Sequence, residues 1–171
     1  AGILASKVYN IQYNTNKFIC LIPNSMYGKN DNFDLENSHV FSALIRRFHE
    51  AKENSDKDVI LWGSGKPRRE FIFNEDVADA SIFLMKNVHK LENRFYNLGV
   101  GIDYSIEELA QIIAEIVDFK GKVYWDTSKP DGVFRKLLDS SDFLSLGWEP
   151  KTDLKRGVKI TYDWYKDKKC K

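Results

Sequence analysis

The segment Phe18-Ile-Cys-Leu-Ile22, an unbroken apolar run closed by Pro23, constrains the fold more than any other part of the chain. A strand with one face in water alternates apolar and polar residues, whereas a continuous run of this length reads as a strand buried on both faces of a helix-covered sheet. The segments around it fit that setting. Ile3, Leu4, Val8 and Ile11 recur at helical spacing as far as Tyr13-Asn-Thr-Asn16, where turn-forming residues stop the pattern. Val40, Ala43, Leu44, Phe48 and Ala51 mark a second amphipathic helix, capped by Asn37 or Ser38 and ending in Lys52–Asp56. Between them, residues 24–36 are polar, with Gly28, Asn30, Asp31 and Asn32, and are expected to form a long loop at the strand's carboxyl end, where open α/β sheets place ligands.

The alternation continues. Asp58–Trp62 reads as a strand, Gly63-Ser-Gly65 as a tight turn and Glu70–Phe73 as a strand. Val77, Ser81, Leu84, Met85 and Val88 form one helix face, and Phe95–Leu98 is a further short strand. Ser105-Ile-Glu-Glu108 supplies the serine and glutamate of a capping box, and Ile106, Leu109, Ala110, Ile113, Ile116 and Val117 continue a single stripe behind it. A strand at Lys122–Trp125, a loop over 126–134, a short helix near Asp139 and a final helix carrying Leu154, Val158, Thr161, Tyr162 and Tyr165 complete the pattern. The chain reads as one α/β unit with a mixed C-terminal lobe.

Composition excludes several function classes. The 26 Lys+Arg against 25 Asp+Glu leave a net charge of +1, without the excess of a phosphate-neutralising nucleic-acid binder or a polybasic membrane-surface protein. A 43% hydrophobic and 13% aromatic content suffices for a core, and 171 residues amount to about one domain at roughly 150 residues each. Two cysteines, Cys20 and Cys170, stand outside any zinc-ligand spacing and cannot make a disulfide framework, which points to a reducing compartment. Apolar runs too short to span a bilayer, with no basic-then-apolar leader, give a cytoplasmic expectation.

Three local patterns bear on chemistry. Tyr13-Asn-Thr-Asn-Lys17 has the tyrosine–lysine spacing used by short-chain dehydrogenases, but Asn14-Thr-Asn16 ends the helix that such a pair needs. Lys66, Arg68 and Arg69, just after a glycine turn, offer a cationic clamp for a diphosphate or a solvated basic turn, and Trp62 is either a core residue or a stacking platform. His39, at the expected helix start beside the long loop, places an imidazole at the ligand crevice, whereas His49 and His89 read as surface residues.

Taken together, Ile22-Pro-Asn-Ser-Met-Tyr-Gly28, Asn30-Asp-Asn-Phe33, Asn37-Ser-His39, Trp62-Gly-Ser-Gly65, Arg69-Glu-Phe71, Asn97-Leu-Gly99, Ser128-Lys-Pro-Asp-Gly132 and Arg135-Lys-Leu137 closely resemble the GDP-L-fucose synthase family of extended short-chain dehydrogenases. The resemblance runs over essentially the whole of residues 1–171. It implies the C-terminal portion of a Rossmann-type doubly wound sheet, interleaved with a smaller mixed α/β substrate-binding lobe. The chain opens at Ala1-Gly2-Ile3, within a helical pattern, and in the family the catalytic tyrosine–lysine pair lies immediately before such a segment. The resemblance therefore places the glycine-rich dinucleotide loop, the catalytic Ser, Tyr and Lys and an acid/base cysteine upstream, and implies no turnover by these residues alone.

For the residues present, the resemblance implies NADP(H) as cofactor, bound through Pro23, Asn24, Ser25, Met26 and His39. It implies His39 as the catalytic acid/base that epimerises C3 and C5 of a GDP-linked 4-keto-6-deoxy sugar, and Arg47, Trp62, Arg69 and Asp131 as substrate-binding positions. Helical spacing alone would have favoured Arg46 over Arg47. A homodimer formed through the first helix is also implied, with no nucleic-acid or membrane partner. Ser25, Lys29 and Phe41-Ser42 depart from the family pattern, which leaves the keto sugar open between a hexose and a heptose.

Overall fold

The structure, a computed structural model, describes residues 1–35, 37–91 and 95–169; the expected loop boundary at Glu36 and the second cysteine, Cys170, lie outside the described residues. Helix α1 (Gly2–Gln12) leads into β1 (Cys20–Pro23), and one residue later into β2 (Ser25–Tyr27). Then come α2 (Val40–Glu53), β3 (Asp58–Trp62), β4 (Arg68–Phe73), α3 (Asn74–Lys86) and a 3-10 turn at Val88–Lys90. The order closes with β5 (Phe95–Leu98), β6 (Asp103–Ser105), α4 (Ile106–Val117), β7 (Lys122–Asp126), β8 (Arg135–Lys136), α5 (Ser141–Leu144) and α6 (Leu154–Lys169).

Two strand pairs are parallel ribbons: β1 with β5, Cys20 opposite Phe95 and Pro23 opposite Leu98, and β3 with β7. Strand β4 is the hub of the remaining sheet. Its second half pairs in parallel with β2, while its first half is flanked by antiparallel β6 and parallel β8. Parallel strands joined through helices make the fold mixed α/β and Rossmann-like.

The larger core gathers Ile45, Phe48, Phe71, Leu109, Ile113 and Val158 between α2, α4, α6 and the strands. The smaller packs Ile72, Leu84, Tyr96, Leu98, Phe143 and Trp148 between α3, β5 and α5. Helix α4 begins with the expected capping box: Ser105 Oγ accepts from the Glu108 N–H at 3.0 Å, and the Glu108 carboxylate accepts from the Ser105 N–H at 2.6 Å. Helix α1 ends at Gln12, before Asn14 in a left-handed conformation (φ 45°), so Tyr13 and Lys17 share no helix. In its place Asn10 reaches the start of β1, donating to the Phe18 carbonyl at 2.8 Å and accepting the Phe18 N–H at 3.1 Å. The apolar side chains Leu4, Val8 and Ile11 of α1 are exposed.

Several expectations need correction. The loop expected over residues 24–36 contains β2, a three-residue strand too short to show periodicity and held by its pairing with β4. The N-cap of α2 is His39 rather than Asn37 or Ser38, because Asp34 captures both: its Oδ1 accepts the Asn37 N–H at 2.8 Å and its carbonyl accepts the Ser38 N–H at 3.1 Å. Strand β4 starts at Arg68, and α3 stops at Lys86, leaving Val88 in the 3-10 turn. Strands β6 and β8 were not legible. His49 is half-buried rather than a surface residue, its ring edge-on to Tyr162 and Tyr165 and its Nδ1 3.2 Å from the Tyr162 hydroxyl.

Candidate functional site

A cavity of about 570 Å³ opens where β1 passes into β2. Asn24, Ser25 and Met26 line one part, followed by residues 27–31. His39, Val40 and Phe41 at the start of α2 line another part, and Arg69 on β4 and Lys136 on β8 line a third. Residues of four elements distant in sequence thus meet at one place.

The local structure explains each position. The loop before α2 is organised by its own short polar side chains: Asn32 Oδ1 accepts the Asp34 N–H at 3.0 Å, and Asp34 holds Asn37. Ser42, fully buried in the first turn of α2, donates to the Asp31 carboxylate and ties the helix start to that loop. His39 is extended (φ −70°, ψ 156°), its side chain makes no capping hydrogen bond, and its imidazole stays exposed on the cavity wall. Tyr27, deep in the wall, has its phenol pushed above the ordinary tyrosine range by burial, reinforced by Asp76 and Asp153.

Alternation along β4 splits the expected clamp of Lys66, Arg68 and Arg69. Adjacent strand residues point to opposite faces, and only Arg69 faces the cavity. Arg68 is engaged elsewhere: its Nε lies 2.9 Å from Asp103 Oδ1, its Nη2 donates to the Asp103 carbonyl at 2.8 Å, and Glu108 stands 3.3 Å away. Asp103 also holds Arg135 at 2.5 Å, and these two arginines, Arg135 foremost, keep its carboxyl below the ordinary aspartate range. The cation that joins Arg69 is instead Lys136, which stands in register with it across β4 and β8, while Lys29, also on the cavity wall, is paired with Glu75 at 2.9 Å. Sequence reasoning passed over Lys136 as part of a motif, since a two-residue strand carries no periodic signal. Glu70, fully buried, was likewise passed over, although a carboxylate inside an apolar strand end was visible in Glu70-Phe-Ile-Phe73.

The remaining candidates form a second group that does not line the cavity. Trp62 is 67% exposed, with Arg47 Cζ 5.9 Å and Lys129 Nζ 5.6 Å from its ring centroid. Arg46 turns away, donating to Glu50 at 2.7 Å and to the Phe33 carbonyl at 3.1 Å. Asp131 closes the Gly63–Gly65 turn, where both glycines have positive φ: it accepts the Ser64 N–H at 2.8 Å and the Ser64 hydroxyl at 2.7 Å. Those bonds, the hydroxyl first, keep its carboxyl below the ordinary range. Pro23 ends β1 without lining the cavity. Cys20 Sγ lies 3.1 Å from Ser6 Oγ, also away from it.

Residues 1–99 match the model of the family described as NAD dependent epimerase/dehydratase. The chain belongs to this family. Among NAD dependent epimerases and dehydratases it is similar to GDP-L-fucose synthase 1 of Arabidopsis thaliana, 49% identical over 170 residues, 99% of this chain and 52% of that protein. A GDP-L-fucose synthetase from Naegleria fowleri, solved bound to NADP, superposes with a TM-score of 0.87 at 29% identity, covering 98% of this chain and 53% of that one. A GDP-D-glycero-L-gluco-heptose synthase from Campylobacter jejuni, solved in the presence of NADPH, gives 0.82 at 38% identity, covering 96% and 57%. The chain spans about half the length of the curated relatives it matches.

Proposed function

We propose that these residues form the substrate-binding half of an NADPH-dependent enzyme that epimerises C3 and C5 of GDP-4-keto-6-deoxy-D-mannose and reduces C4, giving GDP-L-fucose. The observation that carries the reading is the convergence of Asn24–Met26, His39, Arg69 and Lys136 on one cavity. The names of the relatives, GDP-L-fucose synthases and a GDP-heptose synthase, support a GDP-linked sugar.

Each group has a task its geometry suits. Arg69 and Lys136, side by side in register, present two cations to a diphosphate, with the guanidinium able to fork onto two oxygens. Trp62, exposed and with two cations over its ring, provides a platform outside the cavity for the guanine end. The C3 and C5 protons are acidic because each carbon lies next to the C4 carbonyl, and the exposed His39 imidazole is placed to take up or return them. Return on the opposite face needs a second acid/base group. Cys20 is not placed for it, so this reading draws that group from outside the 171 residues.

Asn24, Ser25 and Met26 fit the nicotinamide end of the cofactor: they follow the carboxyl end of a parallel strand, and Met26 presents a half-exposed apolar side chain beside Ser25 in the cavity. NADPH, when bound, supplies the hydride for C4. A homodimer through the exposed apolar face of α1 and a cytoplasmic location belong to the same reading; among the described residues no helix is long and apolar enough to cross a membrane.

A GDP-linked keto-heptose is the second reading, favoured by the heptose synthase likeness; Ser25, Lys29 and Phe41, which depart from the family pattern, line the cavity and leave room for either sugar in this reading. The test is an NADPH-oxidation assay of a protein carrying these residues together with the cofactor-binding half, using GDP-4-keto-6-deoxymannose in deuterated water. Turnover with deuterium at C3 and C5, lost in His39→Ala, is expected. No oxidation with that substrate would overturn the hexose reading, and turnover of the keto-heptose alone would establish the second. The 171 residues by themselves are expected to oxidise no NADPH.

A further inference from the structure

Glu70 is a carboxylate with no exposure to solvent, and among the described residues every partner it has donates an N–H. Its Oε1 accepts the backbone N–H groups of Val100 and Gly101, each at 2.7 Å. Its Oε2 accepts the Leu138 N–H at 3.2 Å and the side-chain amide of Asn24. Burying a charge is costly unless donors surround it, and here four do. Gly99 packs so closely that a Cβ there would collide with the carboxylate.

Of these partners Asn24 lines the cavity, and the others lie behind it. Asn24 follows β1, its own N–H donates to the Leu98 carbonyl at 2.9 Å, and its Oδ1 accepts the Ser25 N–H at 2.9 Å, so its orientation sets that of Ser25. Leu138 lies two residues beyond Lys136, and Glu70 itself is flanked on β4 by Arg69 and Phe71, both of which line the cavity. Satisfying the amides of Val100 and Gly101 explains a buried acceptor. It does not explain why the same group also grips the side chain of Asn24, which lines the cavity.

We propose that Glu70 is a positioning residue that couples the Asn24–Met26 segment to the cation pair Arg69 and Lys136. Occupancy of the cations by a diphosphate then stiffens the cofactor-side segment through this carboxylate. The inference rests on the nucleotide-sugar reading of the cavity. Such a link is reciprocal, so ligand on one side and order on the other report the same coupling.

Amide hydrogen exchange of the chain with and without GDP tests it. GDP is expected to slow exchange across Asn24–Tyr27 by about fivefold or more, within the usual range of coupling between sites. In Glu70→Gln the new NH2 group faces N–H donors; GDP still binds, but the slowing at Asn24–Tyr27 disappears while α4 amides keep their protection. Asn24→Ala, which cuts one link and leaves the three backbone donors served, is expected to lose the same response even if Glu70→Gln fails to fold. A structural role alone would speed exchange generally and preserve the response to GDP, and that result overturns the coupling while leaving nucleotide binding intact. Absence of GDP binding by the unaltered chain overturns the nucleotide reading and the coupling with it.

Discussion

The two groups of candidate residues are built differently. The inner group, at the cavity, stands on strands and a helix start whose neighbours are buried: Asn24 against Glu70, Asp31 against Ser42, Arg69 on the hub strand. The outer group, Arg47, Trp62 and Lys129, sits at a helix surface, a strand end and a loop, held by exposed cation–ring contacts. The inner segments are tied by the part-buried bonds Asn24–Glu70 and Ser42–Asp31, so a change there propagates. Outer side chains meet through exposed cation–ring contacts, so a change there stays local. Chemistry belongs where geometry is fixed to fractions of an ångström, and added affinity can come from the rim.

This contrast orders the expected effects of substitution. His39→Ala should lower the rate of deuterium exchange at C3 and C5 by about 10²-fold or more in the complete enzyme, the usual share of a general acid or base, while GDP affinity measured by calorimetry changes little. Arg69→Ala removes an ionic partner of the diphosphate and should weaken GDP binding by about tenfold or more, as losing a charged hydrogen bond costs roughly 1.5–3 kcal/mol. Trp62→Ala should weaken it only severalfold, about 0.5–1 kcal/mol for an exposed ring and its cations. The double variant of Trp62 and Arg69 should be close to additive, because the groups share no partner. Strong non-additivity would break the division into inner and outer groups.

A smaller effect concerns the scaffold beneath the inner group. Asp103 pins Arg68 and Arg135 on the face of β4 and β8 opposite the cavity cations, and Arg135 above all holds its carboxyl down. A carboxyl with a lowered value in the folded state contributes stability that is fully present above the ordinary aspartate value, about 3.9, and lost as pH falls through the lower folded one. Thermal melts from neutral pH downward should therefore show a loss below about pH 4 that is shallower in Asp103→Asn. Equal slopes would show that the cross-strand clamp does not support β8.

Much of this was legible in the sequence where long patterns exist. The capping box at Ser105 and the stripe to Val117 gave α4, and the apolar run before Pro23 gave β1, because local propensity and burial agree there. The missed strands β2, β6 and β8 have two or three residues each, and pairing with β4 rather than periodicity creates them. For the site, residue types drew attention to His39 and Arg69. Neither the separation of Arg68 from Arg69 nor the arrival of Lys136 could be read without the register of β4, since which cation faces the cavity depends on strand pairing across more than sixty residues. Arg46 and Arg47 show the same limit: spacing favoured the first, while Glu50 and the Phe33 carbonyl hold it away from Trp62.

The most direct measurement is the change in backbone amide NMR shifts of the chain as GDP is added. The largest changes are expected at Arg69 and Lys136, with a second set at Trp62 and Arg47, in one saturable process. A rival hollow of about 760 Å³, lined by Lys52, Lys57, Lys120 and Lys122 together with Asp56, Asp58 and Asp118, lies at the opposite ends of β3 and β7. Changes confined to that hollow, or none at Arg69 and Lys136, would contradict the account.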